Sequence, residues 1–275
     1  MNSEIKNILV PTDFSVCAQQ AATVAIELAA KMDATIHFLH LLAEPDDELH
    51  VPGNVLTKNK VNKEVAEART KLNELVIQAE RQGVEGKQVL VFDKGNDQIE
   101  DYIKPYKIQF IVMGSHGKTG IRELVIGSNT QSIIKHTTVP VLVLKKPVGK
   151  FKFQNIVFAS TFVEDPSTAL GILLKLSKSW SAKVHILFVN LESQSVTTEQ
   201  AYTLLNKLKA KYPDKPFTIN LVENTDEEWA INQFADKIQA DLIAITRHDR
   251  VGYIFSHCVA EDLIKHFDTP VLVLS

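Results

Sequence analysis

The residues of this 275-residue chain best suited to chemistry run from Gly114 to Ser128, Gly114-Ser115-His116-Gly117-Lys118-Thr119-Gly120-Ile121-Arg122-Glu123-Leu124-Val125-Ile126-Gly127-Ser128. They follow an apolar run, Phe110-Ile111-Val112-Met113, that reads as a buried strand, and they lead into a helical pattern beginning near Ser128. Strand, glycine loop and helix start together make an anion site. Glycines remove the Cβ that would hold a phosphate off the backbone, and the unpaired N–H groups at a helix N-terminus point at the charge. Gly114, Gly117, Gly127 and Ser128 fill the fixed positions of a G-x2-G-x9-G-S spacing.

Gly117-Lys118-Thr119 looks like the end of a P-loop. A P-loop has a further glycine five residues before its Gly-Lys-Thr glycine, where Val112 stands, and it normally follows the first strand of its sheet, so that reading is rejected. Lys118 and Arg122 are placed to meet phosphates from the loop or to remain solvated. His116 has the chemistry of a general base, but no residue in the sequence is placed to orient it.

The elements that must position these residues follow from hydrophobic periodicity. Ile5 to Val10 reads as a strand ending in Pro11-Thr12-Asp13-Phe14-Ser15. Ala18, Ala21, Ala22, Ala25, Ile26 and Ala29 then mark a helix face, with Ser15 as its N-cap. Thr35 to Leu42 is a second strand, and Val61, Val65, Ala68, Leu72, Leu75 and Ala79 trace a long amphipathic helix. A third strand at Gln88 to Phe92, a turn and cap at Gly95-Asn96-Asp97 and a short helix carrying Ile99 and Ile103 precede the strand before Gly114. A helix with Ile133 and Ile134 and a last strand, Val141-Leu142-Val143-Leu144, complete the unit. Strands alternating with helices imply a parallel sheet covered on both faces.

The second half repeats the first. Asn155-Ile156-Val157-Phe158 matches Asn7-Ile8-Leu9-Val10, Ala182-Lys183-Val184-His185 matches Ala34-Thr35-Ile36-His37, and Pro270-Val271-Leu272-Val273-Leu274 matches Pro140-Val141-Leu142-Val143-Leu144. The chain is a tandem duplication, with domains expected at 1–146 and 152–275 and a short linker, Lys145-Lys146-Pro147-Val148-Gly149-Lys150. Each copy should form an open, twisted, Rossmann-like sheet of five parallel strands in the order 3-2-1-4-5. Ligands of such sheets bind beyond the carboxyl ends of the strands, where the strand order reverses between strands 1 and 4. Asp13 follows strand 1 and Gly114 ends strand 4, so both belong to that crevice.

The glycine spacing and the duplicated pattern resemble the universal stress protein family in its ATP-binding branch, and the resemblance covers essentially the whole chain twice. It implies ATP as ligand, with Mg2+ as a companion ion, and a regulatory or protective role in the stress response. By this likeness Asp13 contacts the adenosine end. The backbone at Leu41 faces the adenine, Gly114, Gly117, Gly127, Ser128 and Asn129 hold ribose and phosphates, and Met113 is a further nucleotide-binding residue. Read from its residue type and place alone, Asp13 also suits an Asx cap on the first helix, and the two roles are compatible. The resemblance also implies that the last strands of the two copies pair about a pseudo-twofold axis within the chain, and it allows a homodimer.

The second copy is not expected to hold the same ligand. Thr246-Arg247-His248-Asp249 replaces Gly114-Ser115-His116-Gly117, His257-Cys258 replaces Gly127-Ser128, Thr161 stands in place of Asp13, and the loop is two residues shorter. Side chains then occupy the space a backbone cradle needs. Arg247, His248, Asp249, Arg250 and His257 read as a solvated loop or a different anion site.

Two other functions fit the residues less well. Slow ATP hydrolysis or nucleotidyl transfer lacks an evident Mg2+-holding acid beside the glycine loop and a residue to orient water. A phosphorylation-responsive receiver would use Asp13, Asp93, Ser115 and Lys145, but Pro11-Thr12-Asp13 supplies one carboxylate where receivers use an acidic pair. Composition narrows the remainder. A formal charge of -3 gives no basic field for nucleic acid, and no apolar run is long enough to span a membrane, so the expected location is cytoplasmic. Cys17 and Cys258 have no metal or redox spacing and read as buried small apolar residues. His37, His40 and His185 read as core or rim histidines, and no metal site is expected.

Overall fold

A computed structural model of the protein describes residues 4–43, 55–93, 99–116, 126–146, 153–160, 165–191, 197–213, 217–246 and 259–274. Gly117, Lys118, Arg122, the turn at 95–97, the linker at 147–150, Thr161, residues 247–250, His257 and Cys258 lie outside them. The chain packs as two compact units, Met1–Ile121 and Arg122–Ser275.

The first unit contains β1 (Asn7–Pro11), α1 (Val16–Met32), β2 (Thr35–Ala43), α2 (Val55–Glu80), β3 (Gly86–Asp93), α3 (Glu100–Ile103) and β4 (Phe110–Gly114). Its strands lie in the order β3-β2-β1-β4 and all run parallel. Ile8, Leu9 and Val10 are consecutive and fully buried, and so are Phe110, Ile111 and Val112. Because successive strand residues point to opposite faces, an uninterrupted buried run means that both faces are covered. The helical periods hold as expected: Ala68, Leu72, Leu75 and Ala79 of α2 are buried, and Ser15 caps α1 by accepting from the Ala18 N–H.

The second unit holds α4 (Ser128–His136), β5 (Val141–Leu144), β6 (Asn155–Ser160), α5 (Ser167–Trp180), β7 (Lys183–Leu191) and α6 (Thr198–Lys211). It continues with β8 (Phe217–Asn224), α7 (Glu227–Ile238), β9 (Leu242–Thr246), α8 (Val259–His266) and β10 (Val271–Leu274). Strands β8-β7-β6-β9-β10 follow the expected 3-2-1-4-5 order, all parallel, and β5 joins β10 antiparallel. The helix and strand that close the first sequence repeat, α4 and β5, thus pack in the unit that holds the second.

The duplication is legible in hydrogen bonds at the amino ends of the strands. Thr35 N–H donates to Lys6 O at 2.8 Å, and Lys183 N–H donates to Gln154 O at 2.7 Å. Helices α1 and α5 both stop at a left-handed residue, Asp33 with φ 52° and Ser181 with φ 55°. The Gln109 side chain accepts from the N–H groups of Lys6 and Asn7, and in the other copy the Asp241 carboxylate accepts from Gln154 and Asn155. In both copies the residue ahead of strand 4 ties down the start of strand 1.

Candidate functional site

In the first unit, β2, β1 and β4 are neighbours, and their carboxyl ends bring together segments far apart in the chain. The parallel register of Ile8 with Phe110 and Leu9 with Ile111 carries the ends of β1 and β4 to one rim. Asp13 stands two residues past β1, Gly114 is the last residue of β4, and Leu41 lies in the last turn-ward stretch of β2, half-buried. Met113 is buried, so its side chain belongs to the core and only its backbone faces the rim. Gly127, Ser128 and Asn129 belong to the second unit. Gly127 is the N-cap of α4 with φ −63° and no side-chain cap, and Ser128 and Asn129 are exposed in its first turn.

The turn carrying Asp13 is tightly tied. Thr12, itself buried, donates its N–H to Leu39 O at 2.8 Å, and its hydroxyl accepts from the Phe14 N–H at 3.0 Å. Its carbonyl lies 2.7 Å from His40 Nδ1, and because a carbonyl only accepts, that ring nitrogen carries the proton. Asp13 Oδ1 accepts from the Ser15 N–H at 3.0 Å, an Asx turn directly ahead of the Ser15 cap. Phe14 sits at φ 63°, a left-handed conformation uncommon for a bulky side chain. Its ring is held between His40, with ring centroids 4.4 Å apart, and Lys71, whose Nζ lies 5.4 Å from the ring centroid.

Gly114 has a reason to be glycine that the sequence does not reveal. A Cβ there would lie 2.8 Å from Cys17 Sγ, 3.1 Å from Cys17 C and 3.2 Å from Ala18 N, so the start of α1 packs directly on the end of β4. Cys17 is 6% exposed, as expected of a small apolar residue. Burial pushes its thiol pKa up, partly offset by the backbone N–H groups of His116 and Ser115, which bond to the sulfur. His116 also has a partner: Ser115 Oγ is 3.0 Å from its Nδ1, and Ser115 is buried.

Cys17–Gly114 and His40–Thr12 escape sequence reasoning because each joins a side chain to the backbone of another segment, and Ser115–His116 because side-chain rotamers decide whether the two meet. Of the three, only Ser115–His116 joins neighbours in the chain. A cavity of about 330 Å³ is lined by Phe14, Leu75 and polar residues of α1 and α2, and holds none of the expected site residues. Chemically, the rim presents a carboxylate, a buried hydroxyl, an oriented imidazole and a close-packed glycine at the point where strand order reverses, an arrangement suited to holding a polar ligand. Thr246, the counterpart of Gly114, ends β9, while Thr161 and the counterparts of Ser115, His116, Gly117, Gly127 and Ser128 lie outside the described residues.

Known proteins give this geometry a context. A universal stress protein of Archaeoglobus fulgidus superposes over 100% of this chain and 99% of its own with a TM-score of 0.77 at 18% identity, a likeness of fold. Universal stress protein MJ0531 of Methanocaldococcus jannaschii is 32% identical over 144 residues, 52% of this chain and 83% of that protein. Universal stress protein MJ0577 of the same organism is 30% identical over 159 residues, 53% of this chain and 98% of that protein. The universal stress protein family model matches residues 4–145 and again 152–275, and the chain therefore belongs to the universal stress protein family as a tandem member.

Proposed function

We propose that the protein binds an adenine nucleotide, ATP, through its first copy, and that it acts in the stress response as a nucleotide-responsive regulatory or protective module of the cytoplasm. The observation that carries this reading is the convergence of Asp13, Leu41 and Gly114 on one rim of adjacent parallel strands, at the strand-order reversal where open α/β sheets take their ligands. Asp13 is already held by its Asx turn, so its carboxylate is positioned at the rim to meet a sugar hydroxyl without new ordering of the backbone. Gly117, Gly127, Ser128 and Asn129 enter through the G-x2-G-x9-G-S spacing, in which backbone donors and a small hydroxyl suit phosphate oxygens. Where Mg2+ accompanies the nucleotide, it would neutralise phosphate charge. The second copy serves as the pseudo-twofold partner of the first.

The test is to denature the purified protein, identify any nucleotide released, and repeat with Gly127→Val. Gly127 has φ −63° and ψ 146°, a conformation valine adopts readily, so the variant keeps its backbone. Loss of ATP from a folded Gly127→Val protein supports the reading. ATP retained there, or a protein that neither carries nor takes up an adenine nucleotide, refutes it.

A further inference from the structure

The formal charge of -3 conceals a segregation of charge within the second unit. From Asp165 to Pro213, the stretch that builds α5, β7 and α6, the sequence has six lysines, no arginine and three acids. Over 226–241 and 259–268, which hold α7 and α8, eight acids stand against two lysines. The two stretches cover opposite faces of the sheet. Right-handed crossovers from β6 through β7 to β8 place α5 and α6 on one face, and the return to β9 and β10 places α7 and α8 on the other. Polar contacts tie each helix pair together. The Tyr212 hydroxyl, just past α6, donates to Ser167 O at 2.7 Å, and Lys211 Nζ lies 2.9 Å from Asp165 Oδ2, just ahead of α5. His266 Nδ1 of α8 lies 2.6 Å from Glu228 Oε1 of α7. One layer is basic and the other acidic.

The first copy has the equivalent helix layer without the segregation. Helices α1 and α2 carry six basic and five acidic residues, interspersed, with Lys63 Nζ 3.9 Å from Glu67 Oε1. The lysine face is therefore a property of the second copy and not of the fold. Helix dipoles account for Lys178, Lys209 and Lys211, which stand in last turns, but not for Lys175, Lys183 and Lys207. Lys211 is engaged by Asp165. Among the described residues Lys178, Lys183, Lys207 and Lys209 have no ion-pair partner, and all four are exposed.

Exposed apolar groups lie among these lysines. Ala201, Leu205 and Leu208 are the buried stripe of α6, and opposite them Thr203, Asn206 and Ala210 face outward. Tyr202 and Leu204 flank the outward strip, 51% and 40% exposed. Lys209 follows Tyr202 by seven residues and Lys207 follows Leu204 by three, so each apolar side chain has a lysine on its own flank of the helix.

This combination discriminates among polyanions. Lysine is a point charge that needs no fixed geometry, whereas reading nucleic acid favours the arginine fork, which this stretch lacks. Leucine adds nothing to a phosphate contact. It gains by entering the acyl boundary of a bilayer, with tyrosine at the headgroup level and lysines reaching back to lipid phosphates.

We propose that the α5–α6 face of the second copy docks on an anionic phospholipid surface, held by Lys178, Lys183, Lys207 and Lys209 and anchored shallowly by Tyr202 and Leu204. The attachment is peripheral and reversible, and the acidic α7–α8 layer, repelled by the same surface, faces away from it.

The test is cosedimentation of the full-length chain with vesicles of equal parts phosphatidylcholine and phosphatidylglycerol, against vesicles of phosphatidylcholine alone. At low salt the wild type should bind only the anionic vesicles, and about 0.5 M salt should release it. Lys178→Gln/Lys207→Gln/Lys209→Gln, all at exposed sites, should weaken binding about tenfold or more. The matching first-copy variant, Lys31→Gln/Lys60→Gln/Lys63→Gln, should stay within about twofold of the wild type. Tyr202→Ser/Leu204→Ser should weaken binding about fivefold, and this loss should depend less on salt. No binding to anionic vesicles, equal binding to neutral ones, equal losses in the two lysine variants, or full binding by Tyr202→Ser/Leu204→Ser would overturn the proposal. Capture of duplex DNA without vesicle binding would overturn it too, by assigning the lysines to nucleic acid.

Discussion

Cys17 fills the space that any side chain at position 114 would enter: a Cβ on Gly114 would stand 2.8 Å from Cys17 Sγ and 3.1 Å from the Cys17 carbonyl carbon. Gly114→Ala should therefore cost about 1–3 kcal/mol, the usual range for overpacking a core. Cys17→Ala removes the sulfur but not the backbone contact. In urea unfolding the double variant should be more stable than Gly114→Ala alone, yet short of additive recovery. A Gly114→Ala protein as stable as the wild type would show that α1 shifts freely.

Asp13 joins an observed Asx turn to a proposed nucleotide contact, and the two are separable by substitution. Asn offers the same Oδ1 acceptor to the Ser15 N–H, so Asp13→Asn should keep thermal stability while lowering nucleotide affinity, because the carboxylate charge is lost. Calorimetric titration with ATP against a melting curve separates the two. Ser15→Ala should do the reverse, costing about 1 kcal/mol of stability through loss of the cap, with a smaller effect on affinity.

The usual preference for alanine over glycine should invert at Phe14. With φ 63°, alanine pays a left-handed penalty that glycine escapes, so Phe14→Gly should be more stable than Phe14→Ala by about 1 kcal/mol. Both should be less stable than the wild type, because both lose the ring contacts to His40 and Lys71. Equal stability of the two variants in denaturant titration would show that the turn relaxes.

His37 and His185, equivalent residues of the two copies, both have pKa values below the ordinary 6.5, chiefly because burial disfavours the charged ring. Lys87 adds to this for His37 against an opposing effect of Glu85, and Lys183 adds to it for His185. His37 Nε2 bonds to Asn7 Oδ1 at 3.0 Å and His185 Nδ1 to Thr218 Oγ1 at 2.8 Å, while the other ring nitrogen of each is buried with no hydrogen-bond partner among the described residues. As pH falls through 6.5 the unfolded chain binds protons that the folded chain refuses, so stability should drop on the acid side and level off below the folded pKa values. Melting temperatures between about pH 7.5 and 5.5 should fall for the wild type, and less steeply for His37→Gln/His185→Gln. Parallel pH profiles for the two proteins would exclude these rings as the source.

Much of this molecule is legible along the chain because its signals are local and periodic. Apolar residues every three or four positions mark α1 and α2, short apolar runs mark β1, β4, β5 and β10, Ser15 announces its helix, and the matched Pro140 and Pro270 segments expose the duplication. From these the α/β class, the tandem plan and the rim that holds Asp13 and Gly114 follow, since hydrophobic period and crossover rules leave few arrangements. The tertiary structure alone decided what depends on approach between distant segments. It set Cys17 of α1 beneath Gly114, bent Phe14 into a left-handed turn gripped by His40, and placed Lys135, Lys145 and Lys146 opposite Glu261 and Asp268. Residue types record which groups are able to pair. Which of them do so depends on distances of a few ångströms that arise only when the sheet has been laid down and its helices packed against it.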